Sequence, residues 1–246
     1  MSRRAVVGAL AVLLFLASWE IAPAWGWVNA AYTSQPSRVL TAGFEILRSA
    51  DFPRDIRVTL VEFAAGFALA VVIGVPVGLL LGAFPRLRYL ADPPLMAIYA
   101  TPYLALLPIL VVWLGIGMAS KIAAVFAGGV FPIVVNSMAG VRHVERSWVL
   151  AARSFCGGPG DVLLRVILPA SLPAVLMGIR LGLSRAVLAV VVAEMYVAQA
   201  GIGHQIMRAG AAFRIDYLLF YVLLVSSFGF AATRAVGITE GRWHAR

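Results

Sequence analysis

Apolar runs of about twenty residues recur along this chain, and they constrain its fold more than any other feature. A helix needs about twenty such residues to cross the ~30 Å hydrocarbon core of a bilayer. Residues 5–19 read AVVGALAVLLFLASW behind the positive MSRR, and further runs cover about 59–84, 94–113, 121–141, 172–197 and 217–236. The chain is 62% hydrophobic and only 13% charged, against about 25% charged in a soluble domain. An all-α integral membrane protein follows: a polytopic helical bundle of about six transmembrane helices.

The segments divide the chain into residues 1–58, a first helix with an external segment; 59–238, the membrane core; and 239–246, a short tail. Ala22-Pro23-Ala24 has the small-x-small form of a signal-peptide cleavage site. The apolar run continues through Trp19 with Pro23 in the cleavage region, which favours an uncleaved helix. Either way residues 24–55 fall outside. Trp25 and Trp27 suit an aromatic belt, and Val39, Leu40, Phe44, Ile46 and Leu47 after Pro36 suit a short amphipathic helix on the membrane face.

Small residues mark helix faces. Gly66, Ala70, Gly74, Gly78 and Gly82 recur every four residues, a stripe along which a second backbone can approach closely. Gly178, Gly182 and Ala186 form another. Packing within the bundle or across a dimer outweighs a pore lining for both. Glu62, near the outer end of its helix, reads as solvated or hydrogen-bonded. The third run holds Pro102 and Pro108, tolerated in a span only where neighbours or water re-satisfy the freed carbonyls, so it should bend and line the bundle interior.

The longest interruption is Leu150–Pro169, LAARSFCGGPGDVLLRVILP. Ala151 and Ala152, the Gly157, Gly158 and Gly160 break and the run ending in Leu168 and Pro169 suggest a short helix, a turn and a second short helix at the membrane surface. The loop at about 142–170 (Arg142, Arg146, Arg153, Arg165) lies on the side of Arg3, Arg4, Arg86, Arg88, Arg234, Arg242 and Arg246. The opposite side carries fewer positive residues: Arg38, Arg48, Arg54, Arg57, Lys121, Arg208 and Arg214. The positive-inside bias puts the loop and both termini in the cytoplasm.

A net charge of +9 does not make this a nucleic-acid binder, because the arginines are spread between the apolar runs rather than gathered on one face. The lone Cys156 excludes an internal disulfide, and three scattered histidines give no metal signature. No phosphate-binding G-x-x-x-x-G-K-[ST], H-E-x-x-H or G-x-S-x-G occurs, so catalytic residues are none and the chain should not hold ATP itself. Arg180, Arg185 and Glu194 fall within the fifth run, where each costs roughly 2.5–3.5 kcal/mol at mid-bilayer on an insertion scale. Arg185 and Glu194 lie about 13.5 Å apart along a helix and cannot pair. These three either bond carbonyls and neighbouring helices or line a translocation path.

The interruption resembles the EAA loop of permease subunits in binding-protein-dependent ABC importers: Glu-Ala-Ala, three residues, Gly, nine residues, Ile, one residue, Leu-Pro. Ala151, Ala152, Leu168 and Pro169 match at that spacing and Val166 stands in for the Ile. Leu150 replaces the Glu, and Cys156 the Gly, with Gly157 one place late. Residues Thr101–Lys121, Phe131–Arg142 and Leu181–Met195 are similar to spans of the nitrate/sulfonate/taurine group.

That resemblance implies a type I ABC importer permease fold. It implies a pair of permease subunits, here a homodimer, on two cytoplasmic ATPase subunits that hold ATP and magnesium, with no cofactor on this chain. A periplasmic binding protein delivers the solute at the inner membrane. By the same resemblance Ala151, Ala152, Arg153, Phe155, Cys156 and Gly157 form the coupling helix against the ATPase. The solute is a small oxyanion such as a sulfonate, nitrate or taurine, or alternatively a vitamin-precursor heterocycle. A secondary transporter would show a coupling-ion site and internal repeats, and neither is visible. A Glu at position 150 would complete a capping box with Ser147, so Leu150 implies a looser helix start.

Overall fold

The computed structural model describes residues 3–244, apart from the side chains of 3, 4, 30 and 238–244. In order the helices are α1 (Arg3–Ala24), α2 (Ala30–Thr33), α3 (Pro36–Arg48), α4 (Phe52–Ala83), α5 (Pro85–Ala100), α6 (Leu107–Leu114), α7 (Met118–Arg142), α8 (Arg146–Ser154), α9 (Pro159–Val162), α10 (Leu168–Val197), α11 (Ile202–Ala211) and α12 (Ile215–His244). Five helical stretches among the described residues are long and apolar enough to span, and α5 with α6 makes a sixth that is broken. The segment set apart as a tail begins inside α12, whose backbone is helical to His244. The side chains of Arg3, Arg4 and Arg242, and all of Arg246, lie outside the described residues.

Helix α7 is the hub, and small residues put it there. An added Cβ on Gly66 would lie 2.6 Å from Val125 Cβ, one on Gly74 3.0 Å from Ile133 Cγ2, and one on Gly82 2.6 Å from Val141 Cβ. Both helices advance by eight residues, about 12 Å, between contacts, so α4 and α7 run parallel along the whole stripe. On the other flank Gly182 abuts the Gly129 carbonyl, Gly178 abuts Asn136 and Gly140 abuts Ser171, an antiparallel crossing of α7 and α10. Lipid tails compete with apolar side chains for apolar contacts. Close van der Waals approach is therefore what holds such helices together, and the glycines permit it.

Helix α3, expected as a short amphipathic helix, divides its apolar residues between two faces. Val39, Gly43 and Ile46 are buried against α12, where Phe220 occupies the space a Cβ on Gly43 would need. Leu40, Phe44 and Leu47, about 100° further round the helix, stay exposed. Helix α1 stands apart, its apolar side chains exposed. Its end is tied to α3 because Glu20 accepts the Ser37 hydroxyl at 2.6 Å and the Ser37 amide at 3.0 Å, filling donors that a helix N-terminus leaves open.

Three boundaries differ from the sequence reading for identifiable reasons. The second span starts at Phe52, seven residues early: Pro53 suits a first helical turn and the charged Asp55 finds buried partners in Gly201 and Gln205. The third is two helices at 84°, with the Thr101-Pro102 break between them and Pro108 in the first turn of α6, so no single bent helix runs from 94 to 113. The fifth does not start at Leu172: helix is continuous from Pro159 to Val197. Pro169 has no N–H to give, and a π-helical stretch over Leu163–Ile167 precedes it, the usual accommodation for a disturbed hydrogen-bond ladder.

Candidate functional site

Between α7 and α10 the chain leaves the bundle as a hairpin. Helix α8 buries none of its residues, and Phe155 at its end is 88% exposed, with Trp148 and Leu150 about half exposed. The turn that follows is a Schellman motif: the Gly157 amide donates to the Ala152 carbonyl and the Cys156 amide to the Arg153 carbonyl, each at 3.0 Å. The motif needs a left-handed residue after the cap, and Cys156 takes that place at φ 58°. The next position needs glycine for space, since a Cβ on Gly157 would lie 2.6 Å from the Ala152 oxygen. Asp161 then accepts the Gly158 amide at 3.3 Å and pairs with Arg165 on the surface. Leu168 and Pro169 lie at the join to α10.

Helix α8 is capped differently from the sequence reading. Its N-cap is Glu145, whose side chain accepts the Ser147 hydroxyl at 3.0 Å. Ser147 lies inside the first turn, and the reciprocal position is held by Trp148, not by residue 150. The capping-box argument about Leu150 therefore falls.

At the opposite end of the bundle is a buried polar cluster. Glu194 is 0% exposed and accepts the Thr59 hydroxyl and the Gly203 amide, each at 2.7 Å. Thr59 Oγ1 in turn accepts the Ile202 amide at 2.9 Å, and Asp55 accepts the Gly201 amide at 2.9 Å and the Gln205 side chain at 2.6 Å. Carboxylates from α4 and α10 thus cap the start of α11, where the helix dipole favours negative charge. Gly201, at φ 118°, has the Glu194 carboxylate where a Cβ would stand. Beside it Glu62, 1% exposed, forms an ion pair with Lys121.

Arg185 and Glu194, nine residues apart, fall on opposite faces of α10 at 100° per residue. Arg180 and Arg185 are exposed; the Arg180 guanidinium lies beside Gly237 of α12, and the Arg185 carbonyl accepts the Tyr103 hydroxyl at 3.2 Å. The three charges singled out in α10 are therefore not brought together. Glu62 is enclosed rather than solvated, and the partnership of Asp55, Thr59, Glu62 and Lys121 went unseen in the sequence. The signal was available: 55, 59 and 62 share one face at the start of a long, mostly apolar helix, where buried polar groups need partners.

A cavity of about 860 Å³ separates the broken span from α10, with Leu104, Leu107, Pro108 and Val111 on one wall and Val192 and Tyr196 on the other.

Residues 74–244 match the family described as "Binding-protein-dependent transport system inner membrane component". The chain belongs to that family. Among similar proteins, the taurine transport system permease of Escherichia coli K12 is 30% identical over 97% of this chain and 89% of its own length. A putative aliphatic sulfonates transport permease of Bacillus subtilis 168 is 32% identical over 82% of this chain and 73% of its own. The fold of this permease is that of type I ABC importer permeases. A chain of the MetNI methionine ABC transporter in an inward-facing conformation superposes with TM-score 0.57 at 21% identity, covering 74% of this chain and 94% of its own. A chain of an amino acid ABC transporter superposes at 0.60 with 16% identity, covering 79% and 93%.

Proposed function

We propose that this permease is the membrane-spanning subunit of an ATP-driven importer for small sulfonates of the taurine and alkanesulfonate kind, in a bacterial inner membrane. The substrate class is supported by what the similar permeases are named for. The hairpin carries the mechanism. An amphipathic helix with no buried residue, ending in an exposed Phe155 on a closed Schellman turn, is shaped to enter a partner's cleft. Its occupant is a cytoplasmic ATPase subunit that binds ATP and magnesium; Ala151, Ala152, Arg153, Phe155, Cys156 and Gly157 form the contact. The hairpin and both termini lie in the cytoplasm, and α3 and α11 face the periplasmic binding protein.

A second copy of the chain completes the path. The 84° break at Thr101-Pro102 leaves both residues exposed, and lipid-facing irregular backbone is not tolerated in the hydrocarbon region. A partner permease covering α5 and α6 removes that conflict and encloses the apolar cavity. ATP-driven closure of the ATPase pair then draws the hairpins together and, through the continuous Pro159–Val197 helix, reorients the bundle.

The test is co-purification with candidate ATPase and binding proteins, followed by sulfonate uptake into proteoliposomes. Ala152→Arg puts a long cation into the half-buried hairpin face and should abolish ATPase co-purification or uptake while the permease remains monodisperse. An unchanged, transport-active assembly with that variant refutes the hairpin assignment, and uptake driven by an ion gradient without ATP refutes the ABC mechanism.

A further inference from the structure

The ion pair between Glu62 and Lys121 has no part in the import cycle described so far. It closes the polar end of a hollow of about 260 Å³, walled also by Gly117 and Gln199, which shares Ile116, Val197 and Ala198 with the large apolar cavity beside α6. The pair is incompletely satisfied. Glu62 Oε1 meets Lys121 and the carboxylate also lies against Glu194, which still leaves part of its acceptor capacity open. The Lys121 ammonium has three donors, and among the described residues its ion-pair partner is Glu62. Leaving a buried acceptor unmade costs stability, and a buried ion pair is a poor way to gain it. The arrangement leaves acceptor capacity on Glu62 and donor capacity on Lys121 for a solute in the hollow.

Resting on the sulfonate reading above, we propose that Glu62 and Lys121 form a solute site for a zwitterionic aminoalkanesulfonate, Lys121 taking the sulfonate and Glu62 the ammonium. Charge selects the zwitterion over a plain anion. Glu194 lies within electrostatic reach of both Glu62 and Lys121, so two buried carboxyl groups already share the one lysine. A plain alkanesulfonate would add another negative charge. A zwitterion adds none, and replaces one internal ion pair with two to the solute. At ~30 Å³ per water the hollow has room for about eight waters, enough for a two-carbon aminosulfonate. The route in from the apolar cavity would lie between α6 and α10.

The site is tested on the purified permease–ATPase complex without binding protein, titrated with taurine or with ethanesulfonate, which lacks the amine, and followed by saturation-transfer NMR. The wild type should bind taurine at least tenfold more tightly than ethanesulfonate. The double variant Glu62→Gln with Lys121→Met removes both charges together, leaving neither unpaired; it should bind the two solutes equally weakly while still assembling with the ATPase. Glu62→Asp should keep the preference for taurine. Taurine binding unchanged in the double variant, or no taurine signal in the wild type, overturns the site. Uptake of sulfonates by the complete wild-type system in vesicles is measured in parallel. Its absence for every sulfonate overturns the importer reading, whereas uptake without a taurine preference in binding overturns only the site.

Discussion

Cys156 shows how one residue sets the local free energy of the hairpin. A left-handed backbone costs an L side chain roughly 1–2 kcal/mol relative to glycine, and Cys156 adopts it at φ 58°. The EAA pattern that this loop resembles has glycine at this position, and a left-handed backbone is a physical reason for one. Both Schellman hydrogen bonds depend on that conformation. Cys156→Gly should therefore stabilise the closed turn by about 1 kcal/mol, roughly a fivefold shift in its opening equilibrium. Amide hydrogen exchange at residues 156 and 157 should slow by about that factor, and Cys156→Val, whose branched side chain fits the conformation worse, should speed it. Exchange that is the same in all three would show that the turn is held by something other than this backbone geometry. The departure at 156 was legible in the sequence as a mismatch, but its meaning was not, because φ is a property of the folded turn.

At the scale of elements, the glycine stripes decide which helices touch. A Cβ on Gly78 would stand 2.5 Å from the Val134 carbonyl oxygen and 2.6 Å from Ser137 Cβ. Backbone cannot yield as a flexible side chain can, so Gly78→Ala should push α4 off α7 and cost about 1–3 kcal/mol, the range for overpacking. Gly229→Ala is the control, since its nearest neighbour is Val187 Cγ1 at an ordinary 3.6 Å. Thermal denaturation in detergent should lower the midpoint for Gly78→Ala and leave Gly229→Ala near wild type; equal midpoints would contradict the close approach. The period of four in the sequence announced the stripe, and the apolar run lengths announced the spans. What they could not announce was the partner, because a stripe of small residues serves an intrachain helix and a second subunit alike. The polar cluster was hidden for a similar reason: Asp55, Thr59 and Glu62 come together with Lys121, Glu194 and Gln205 only after four helices have packed.

At the scale of the whole molecule, the two ends of the bundle differ in what they leave unfinished. At the polar-cluster end α4, α10 and α11 are joined by backbone amides donating to the Asp55 and Glu194 carboxylates. The hairpin end has α8 with no burial of its own, and the broken span leaves Thr101 and Pro102 facing outward. On the function proposed above, different chains complete the two ends: a soluble ATPase subunit at the exposed Phe155, and a second permease over the break. Of the two, the membrane partner is open to a direct measurement. If a second permease covers the break, a cysteine placed there meets its own copy near the dimer axis, and Thr101→Cys in a Cys156→Ser background should form an intermolecular disulfide on oxidation in native membranes. The lipid-facing control Val72→Cys, on the exposed side of α4, should stay monomeric. Non-reducing electrophoresis separates the outcomes. A crosslinked dimer at 101 and none at 72 places the break at the subunit interface, whereas crosslinking at 72 alone would move the interface to α4 and leave the α5–α6 break to be covered by some other protein.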